Sequence, residues 1–530
     1  MNYRYFGILI DCSCNGVMKV AQVKHLIDVM EKMGYNLLEL CTDDTYKIEG
    51  EPYFGYLRGG YSKEEIKEMD AYAKAHGVEL VPCIQTLAHF TNLVKLPHYA
   101  DIVDVSNILL VDEPKTYELI EKMFSTLAEC YTTRTVNIGM DEAHMLGLGK
   151  YLQRHGLVDR QELLLRHLRK VLEIANKYGF KPHMWSDMFF RLANRGEYEV
   201  KNGIPKEVMD KVPEEVGLSY WDYYSFDEAH YDEMFRAHKQ FNREIWFAGG
   251  AWTWNSFAPN NLLSLKTMKP AIKQVRKHGI ENVLITMWGD DGHDCSFFSV
   301  LPSLYAIRKY GDGIFDEKEI AEGFEKTFGI AFDDMMRLDL PNKTKFNPEM
   351  TETRNACKCL LYNDCFLGWK DHPLEKEMPI EYGAYAKELY ELAKRGGEYA
   401  YLFENLANLC SVLEYKAELG VYTRRAYKAG DKESLRALLP KYEESARRVK
   451  IFHKSMKEIW MRDNKPFGWE VQEIRFGGLY SRILDCKERI EEYLDGKVEN
   501  IPELEEEILP YADWGLQYNS YRGLVSVSTL

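Results

Sequence analysis

Asp141 and Glu142 stand side by side at the end of a short run rich in β-branched residues, Thr135-Val136-Asn137-Ile138-Gly139-Met140. An apolar run that stops at paired acids reads as a buried parallel strand delivering charge to its carboxyl end, where α/β sheets and barrels place their chemistry. Two such carboxylates could serve as a general acid/base and as a second group that orients a reactant or stabilises positive charge. The plainer reading, acids opening the next helix at the positive end of its dipole, stays open on this segment alone.

Other chemistry-bearing residues recur at the ends of similar runs. His89 follows the third run, Trp185 and Asp187 end the fifth, Trp221, Tyr223 and Tyr224 follow the sixth, Trp252 and Trp254 the seventh, and Trp288, Gly289 and Asp290 the eighth. One tryptophan is more often core than pocket. Five of the chain's ten at strand ends suit a sugar ring, whose C–H face stacks on indole and whose hydroxyls are read by acids.

The elements that must position these residues are eight short apolar runs: Tyr5 to Ser13, Leu37 to Cys41, Glu79 to Leu87, Thr135 to Met140, Pro182 to Ser186, Val216 to Tyr220, Glu244 to Ala248 and Asn282 to Met287. Amphipathic helical patterns lie between most of them: Val20 to Met33 closed by Gly34, Lys63 to His76 closed by Gly77, Pro114 to Cys130, and Gln161 to Tyr178 closed by Gly179. This βα alternation predicts an α/β fold, a (β/α)8 TIM barrel over residues 1–312. After Pro302 the strand pattern fades, and Glu, Lys, Leu and Tyr periodicity over 381–427, 434–461 and 471–494 predicts a separate α-helical C-terminal domain, 313–530.

The chain has 530 residues, 45% of them hydrophobic, with a net charge of −15. That surface disfavours nucleic acid and anionic membrane as partners. The amino terminus runs directly into a strand pattern without a basic segment and cleavage site, and no apolar stretch approaches the roughly 20 residues that span a bilayer. Eleven cysteines lack metal-ligand spacing and any Cys-x-x-Cys. A cytoplasmic protein with reduced thiols is expected.

Glycoside hydrolysis ordinarily places two carboxyl groups roughly 5–9.5 Å apart across the scissile bond. Adjacent residues at one strand end do not easily straddle a ring. One acid can still protonate the leaving oxygen while the substrate's own 2-acetamido carbonyl attacks the anomeric carbon, and the second carboxylate then stabilises the oxazolinium-like intermediate.

On these residues the chain resembles glycoside hydrolase family 20, the β-N-acetylhexosaminidases, in a branch of intracellular bacterial members lacking the usual N-terminal accessory domain. Ile138-Gly139-Met140-Asp141-Glu142 is similar to the family's Gly-x-Asp-Glu signature, and Thr42-Asp43-Asp44, Pro82 through His89 and Trp288-Gly289-Asp290 extend the likeness around the barrel. Asp11-Cys12-Ser13 and Gly55-Tyr56-Leu57-Arg58-Gly59 belong to the same pattern. The resemblance implies Glu142 as general acid/base and Asp141 as the group orienting the acetamide. It puts His89 between Glu142 and Asp44, and Tyr223 or Tyr224 as the phenol on the acetamido carbonyl. Trp185, Trp254 and Trp288 would wall the −1 sugar, Trp221 and Trp252 are further aromatic candidates, and Asp290 would accept bonds from O4 or O6.

Four positions depart from the family pattern. Phe6-Gly7 replaces an Arg-Gly whose arginine grips sugar hydroxyls, Cys14 stands where an Arg often follows, Gln85 replaces an Asp, and Asp290 is one methylene shorter than the usual Glu. They bear on hydroxyl recognition and leave the acetamido chemistry intact. The expected activity is therefore exo-acting, retaining release of a terminal β-linked GlcNAc, with GalNAc as a second candidate, from a small oligosaccharide or glycoside, without metal or organic cofactor. The architecture is compatible with a homodimer. Two alternatives stand beside it: a catalytically inactive sugar-binding barrel, and a metal-dependent hydrolase using His89, His183 and Asp187. The latter lacks the His-x-His or His-x-x-x-His spacing such sites need.

Overall fold

A computed structural model of the chain describes residues 1–198, 203–510 and 515–528. Eight parallel strands close into a barrel: β1 (Tyr5–Asp11), β2 (Leu37–Cys41), β3 (Glu79–Cys83), β4 (Thr135–Asn137), β5 (Lys181–Trp185), β6 (Gly217–Trp221), β7 (Ile245–Gly250) and β8 (Asn282–Met287). Each pairs with its neighbours in sequence, and β1 closes on β8 with Tyr5 opposite Asn282 and Ile10 opposite Met287. All eight runs expected from the sequence are strands of this barrel, and a helical region follows it.

The helices between strands form where apolar spacing and end signals agree. Val20–Met33 buries Val23, Leu26, Ile27, Met30 and Met33 and stops at Gly34, whose φ of +84° an L side chain would resist. Lys63–Ala75 begins with a capping box: Ser62 Oγ accepts from the Glu65 amide at 3.2 Å, while Glu65 accepts from the Ser62 amide at 2.9 Å. Such caps contribute about 1 kcal/mol.

Several strands end earlier than their apolar runs. β3 stops at Cys83; β4 stops at Asn137, because Gly139 (φ +69°) and Met140 (φ +73°) turn the chain out of extended geometry just before the acids. A Cβ on Gly139 would lie 2.1 Å from Gln85 Oε1 and 2.9 Å from the Ile84 carbonyl, so this turn has room only for glycine.

Inside the barrel a polar layer is fully paired. Glu39, completely buried on β2, meets His183 Nε2 of β5 at 2.9 Å and Asn137 Nδ2 of β4 at 3.4 Å, while His183 Nδ1 lies 2.8 Å from Ser219 Oγ of β6. A buried carboxylate needs such partners. His183 also stacks on Trp246 at 4.1 Å.

The chain divides into two compact units. The first comprises 1–250, 266–287 and 304–315 and holds all eight strands; the second comprises 251–265, 288–303 and 316–530. The second unit thus includes two segments that leave the carboxyl ends of β7 and β8. Its helices include Tyr382–Ala393, Ala400–Lys416, Leu419–Lys428, Lys432–Asp463 and Trp469–Leu494. The periodicity over 381–427 is three helices, interrupted at Gly396-Gly397, where Gly397 takes φ +55°.

Candidate active site

The turn that follows β4 places Asp141 and Glu142 at the strand's carboxyl end, and the surrounding elements hold them differently. Asp141 is reached from the turn after β3: His89 Nε2 lies 3.1 Å from its Oδ2, and Gln85 Nε2 donates to its Oδ1 at 3.2 Å. Glu142 lies 3.8 Å from the same imidazole, and 43% of its side chain is exposed. Its backbone takes φ +50°, and its amide donates to Asp187 Oδ2 at 3.1 Å.

Positive φ recurs at His89 (+61°) and Asp43 (+43°). Each such non-glycine residue costs about 1–3 kcal/mol and persists where the surroundings over-determine it, a pattern that gathers at functional sites.

Electrostatics separates the roles of these groups. Burial disfavours the charged ring of His89, yet the charge and hydrogen bond of Asp141, with Asp43 and Glu142, raise its pKa to about 10. Burial pushes Asp141 up, but the His89 cation, its hydrogen bond and that of Gln85 hold the carboxyl below its ordinary value. Asp141 is therefore an anion beside an imidazolium at neutral pH. Asp187, fully buried, is pushed up to about 7 by burial and by the charge of Asp141, against the pull of Arg191 at 3.1 Å. Arg191 lies over Tyr198 and Trp221, with 5.6 and 5.9 Å to the ring centres.

Asp44 is buried just after β2. It pairs with Arg58 at 3.2 Å, and the charge of its neighbour Asp43 acts on His89. Burial pushes Asp43 up to about 7, with His89 opposing. Arg58 also donates to the Ser13 carbonyl, bringing the segment around residue 58 to the ends of β1 and β2. Phe6 lies buried in β1 beneath Arg308, whose guanidinium is 5.0 Å from the ring centre.

The aromatic residues read from the sequence fall in both units. Trp185 ends β5 and is 2% exposed; Trp221 is the last residue of β6 rather than a loop residue and is partly exposed. Tyr223 stacks on Trp221 at 5.7 Å, and Tyr224 is 53% exposed. Asp222 orders this turn: its Oδ1 accepts from the Tyr224 amide at 2.9 Å, and its Oδ2 from Tyr220 at 2.8 Å with His230 at 2.7 Å. In the second unit Trp252 and Trp254 stack at 4.2 Å, and Thr253 Oγ1 donates to the Trp288 carbonyl at 2.8 Å, joining the two segments that carry Trp252, Trp254, Trp288 and Asp290.

Three residues escaped the sequence reading: Gln85 and Asp187 as supports of the acids, and Asp222 as the organiser of the turn after β6. Gln85 was legible only as a departure, Asp187 only as an acid near a tryptophan, and Asp222 carried no signal beyond its place after a strand.

Among the described residues, one group of His, Cys, Asp or Glu has the spacing to hold a cation: His89, Asp141 and Glu142, whose ligand atoms lie within 4.8 Å of one another. A ligand imidazole must be deprotonated, whereas these carboxylates hold its proton, so ion pairing accounts for the spacing. His183 has both ring nitrogens engaged within the barrel, with Glu39 and Ser219, and is not available to the metal site considered with His89 and Asp187.

The profile of the glycosyl hydrolase family 20 catalytic domain matches residues 3–234, and that of the glycoside hydrolase 20C C-terminal domain matches residues 333–519. Together the two matches span well over half of the chain, which belongs to glycoside hydrolase family 20. Hexosaminidase D of Bos taurus is 25% identical over 217 residues, covering 39% of this chain and 59% of the relative. Hexosaminidase D of Homo sapiens is 25% identical over 222 residues, 40% of this chain and 43% of the relative. The chain thus spans about half the length of these relatives. A β-N-acetylhexosaminidase structure from Bacteroides fragilis aligns with a TM-score of 0.49 at 17% identity, covering 63% of this chain and 71% of that one.

Proposed function

We propose that the chain is an exo-acting, retaining β-N-acetylhexosaminidase that releases terminal β-linked GlcNAc, with GalNAc as a second sugar, by substrate-assisted catalysis. The observation that carries this reading is the unequal treatment of two adjacent carboxylates: Asp141 is held ionised by His89 and Gln85, while Glu142 is exposed beside them. Environment, not residue type, assigns the roles of such pairs.

In this mechanism Glu142 gives its proton to the glycosidic oxygen as the C1–O bond breaks. The substrate's acetamido carbonyl oxygen bonds to C1 on the opposite face, and Asp141 accepts the amide N–H, countering the positive charge of the oxazolinium. Glu142, now a carboxylate, takes a proton from water as that water attacks C1 and reopens the ring. Two inversions leave the anomeric configuration unchanged. Tyr223 or Tyr224 donates to the carbonyl oxygen, Trp185, Trp254 and Trp288 wall the sugar, and Asp290 accepts from its O4 or O6 hydroxyl.

The thiols favour a reducing, cytoplasmic setting: all eleven cysteines are free, ten of them buried. Among the described residues no helix is long and apolar enough to cross a membrane.

The deciding experiment compares nitrophenyl β-N-acetylglucosaminide with the β-glucoside that lacks the acetamido group. Turnover of the first alone is expected. Comparable turnover of both would mean that the protein supplies its own nucleophile, contrary to this mechanism.

A further inference from the structure

The segment after β8 is strained and yet closely held. Asp290 takes φ +33° and His293 +60°, left-handed backbone that non-glycine residues keep under outside constraint, and Gly292 between them takes +124°. The constraint comes from helices of the same unit. Lys358, on Ala356–Tyr362, has a side chain only 1% exposed and lies 2.8 Å from Asp294 and 3.3 Å from Asp291. Arg475, on Trp469–Leu494, meets Asp291 Oδ1 at 3.2 Å and donates to the Asp291 carbonyl at 2.7 Å. Gln472 Nε2 donates to the Gly292 carbonyl at 2.9 Å and to Asp294 Oδ1 at 2.7 Å. Arg475 packs so closely that a Cβ on Gly292 would lie 2.5 Å from its Nη1.

Two buried cations and two carboxylates form a balanced network directly after Asp290. Desolvation cancels most of the Coulomb gain of such networks, and an apolar cluster of equal volume would stabilise the fold as well or better. Charge and directional hydrogen bonds instead select one position for the backbone they grip. Thr253, bonded to the Trp288 carbonyl at 2.8 Å, extends that grip to the segment carrying Trp252 and Trp254.

We propose that Lys358 and Arg475 are positioning residues for sugar recognition, holding the segment after β8 so that Trp288 and Asp290 keep the placement that reads the sugar's hydroxyls. The proposal rests on the hexosaminidase reading above and gives the helical region a part in specificity that neither residue's distance along the chain suggests.

The test measures kcat and KM on nitrophenyl β-N-acetylglucosaminide and β-N-acetylgalactosaminide for the full chain and for Arg475→Lys and Lys358→Met. Arg475→Lys keeps the charge balance and the fold but cannot reach both the carboxylate and the carbonyl of Asp291. Its expected signature is a rise in KM with kcat largely kept, and a change in the ratio of kcat/KM between the two epimers on the order of ten-fold, as a small misplacement of a contact produces. Lys358→Met is expected to shift the ratio further in its folded fraction, checked by circular dichroism. A purely structural role would lower both substrates' rates by the same factor and leave KM and the ratio unchanged. That result in folded Arg475→Lys, or no change at all, overturns the proposal while leaving the hexosaminidase reading intact. Wild-type chain inactive on both sugars would instead sink the reading, and the proposal with it.

Discussion

Single residues decide the chemistry proposed here, and their environments make them separable. Glu142→Gln keeps volume and removes the proton, so turnover of the aryl N-acetylglucosaminide should fall on the order of 10²–10⁴-fold, with GlcNAc binding retained in a calorimetric titration. Asp187 carries a negative charge beside Asp141 and Glu142 only above about pH 7. In Asp187→Asn that charge is absent and the Glu142 amide loses an anionic acceptor, so the alkaline limb of the kcat/KM profile should move to lower pH; an unmoved limb would show that Asp187 does not act on the acids. For His89 the folded pKa of about 10 exceeds the free value of 6.5. The stability gained from its ion pairs is therefore complete below pH 6.5 and lost as pH rises through about 10. Thermal unfolding of wild type against His89→Gln should converge across that window. These assignments were only partly legible in the sequence. The acids were visible because an apolar run ends on them, whereas the left-handed turns at Asp43, His89 and Glu142 are not announced by the residue types.

At the scale of elements, periodicity located every barrel strand and both ends of β2 and β8, but not where β3 and β4 stop. The apolar run continues past Asn137 as Ile138-Gly139-Met140, and apolar content alone extends the strand to Met140. The chain instead turns at Gly139, and that turn aims the acids. Gly139→Ala meets both an unfavourable φ and a contact of 2.1 Å with Gln85 Oε1. A loss on the order of 2–3 kcal/mol in unfolding free energy is expected, with activity falling more than the folded fraction, because Gln85 also holds Asp141. If activity merely followed the folded fraction, the turn would have no role beyond stability. Trp221 was likewise read as a loop residue because aromatic residues fit strands and pocket rims equally well; it closes β6.

For the whole molecule, ten of the eleven cysteines are buried, and burial pushes thiols such as Cys83 and Cys295 up to about 12. Native protein should show about one fast-reacting thiol toward a disulfide reagent, Cys14, and all eleven only after unfolding, while thermal stability should not respond to reductant. Several fast thiols in the native state would contradict the buried placement. Cysteine number and spacing predicted reduced thiols, since these are read directly from the chain. They could not reveal that residues 251–265 and 288–303 compact with the helical region, because compactness arises from contacts distant in sequence. That partition sets a rule for recombination. A chimera cut once near residue 312 would graft a foreign helical region onto loops shaped for another, whereas a transplant that carries 251–265 and 288–303 along with 316–530 moves a coherent inheritance unit. Exchanges between relatives that respect this three-part boundary should pass sugar preference along with the helices, and exchanges at the single cut should scramble it.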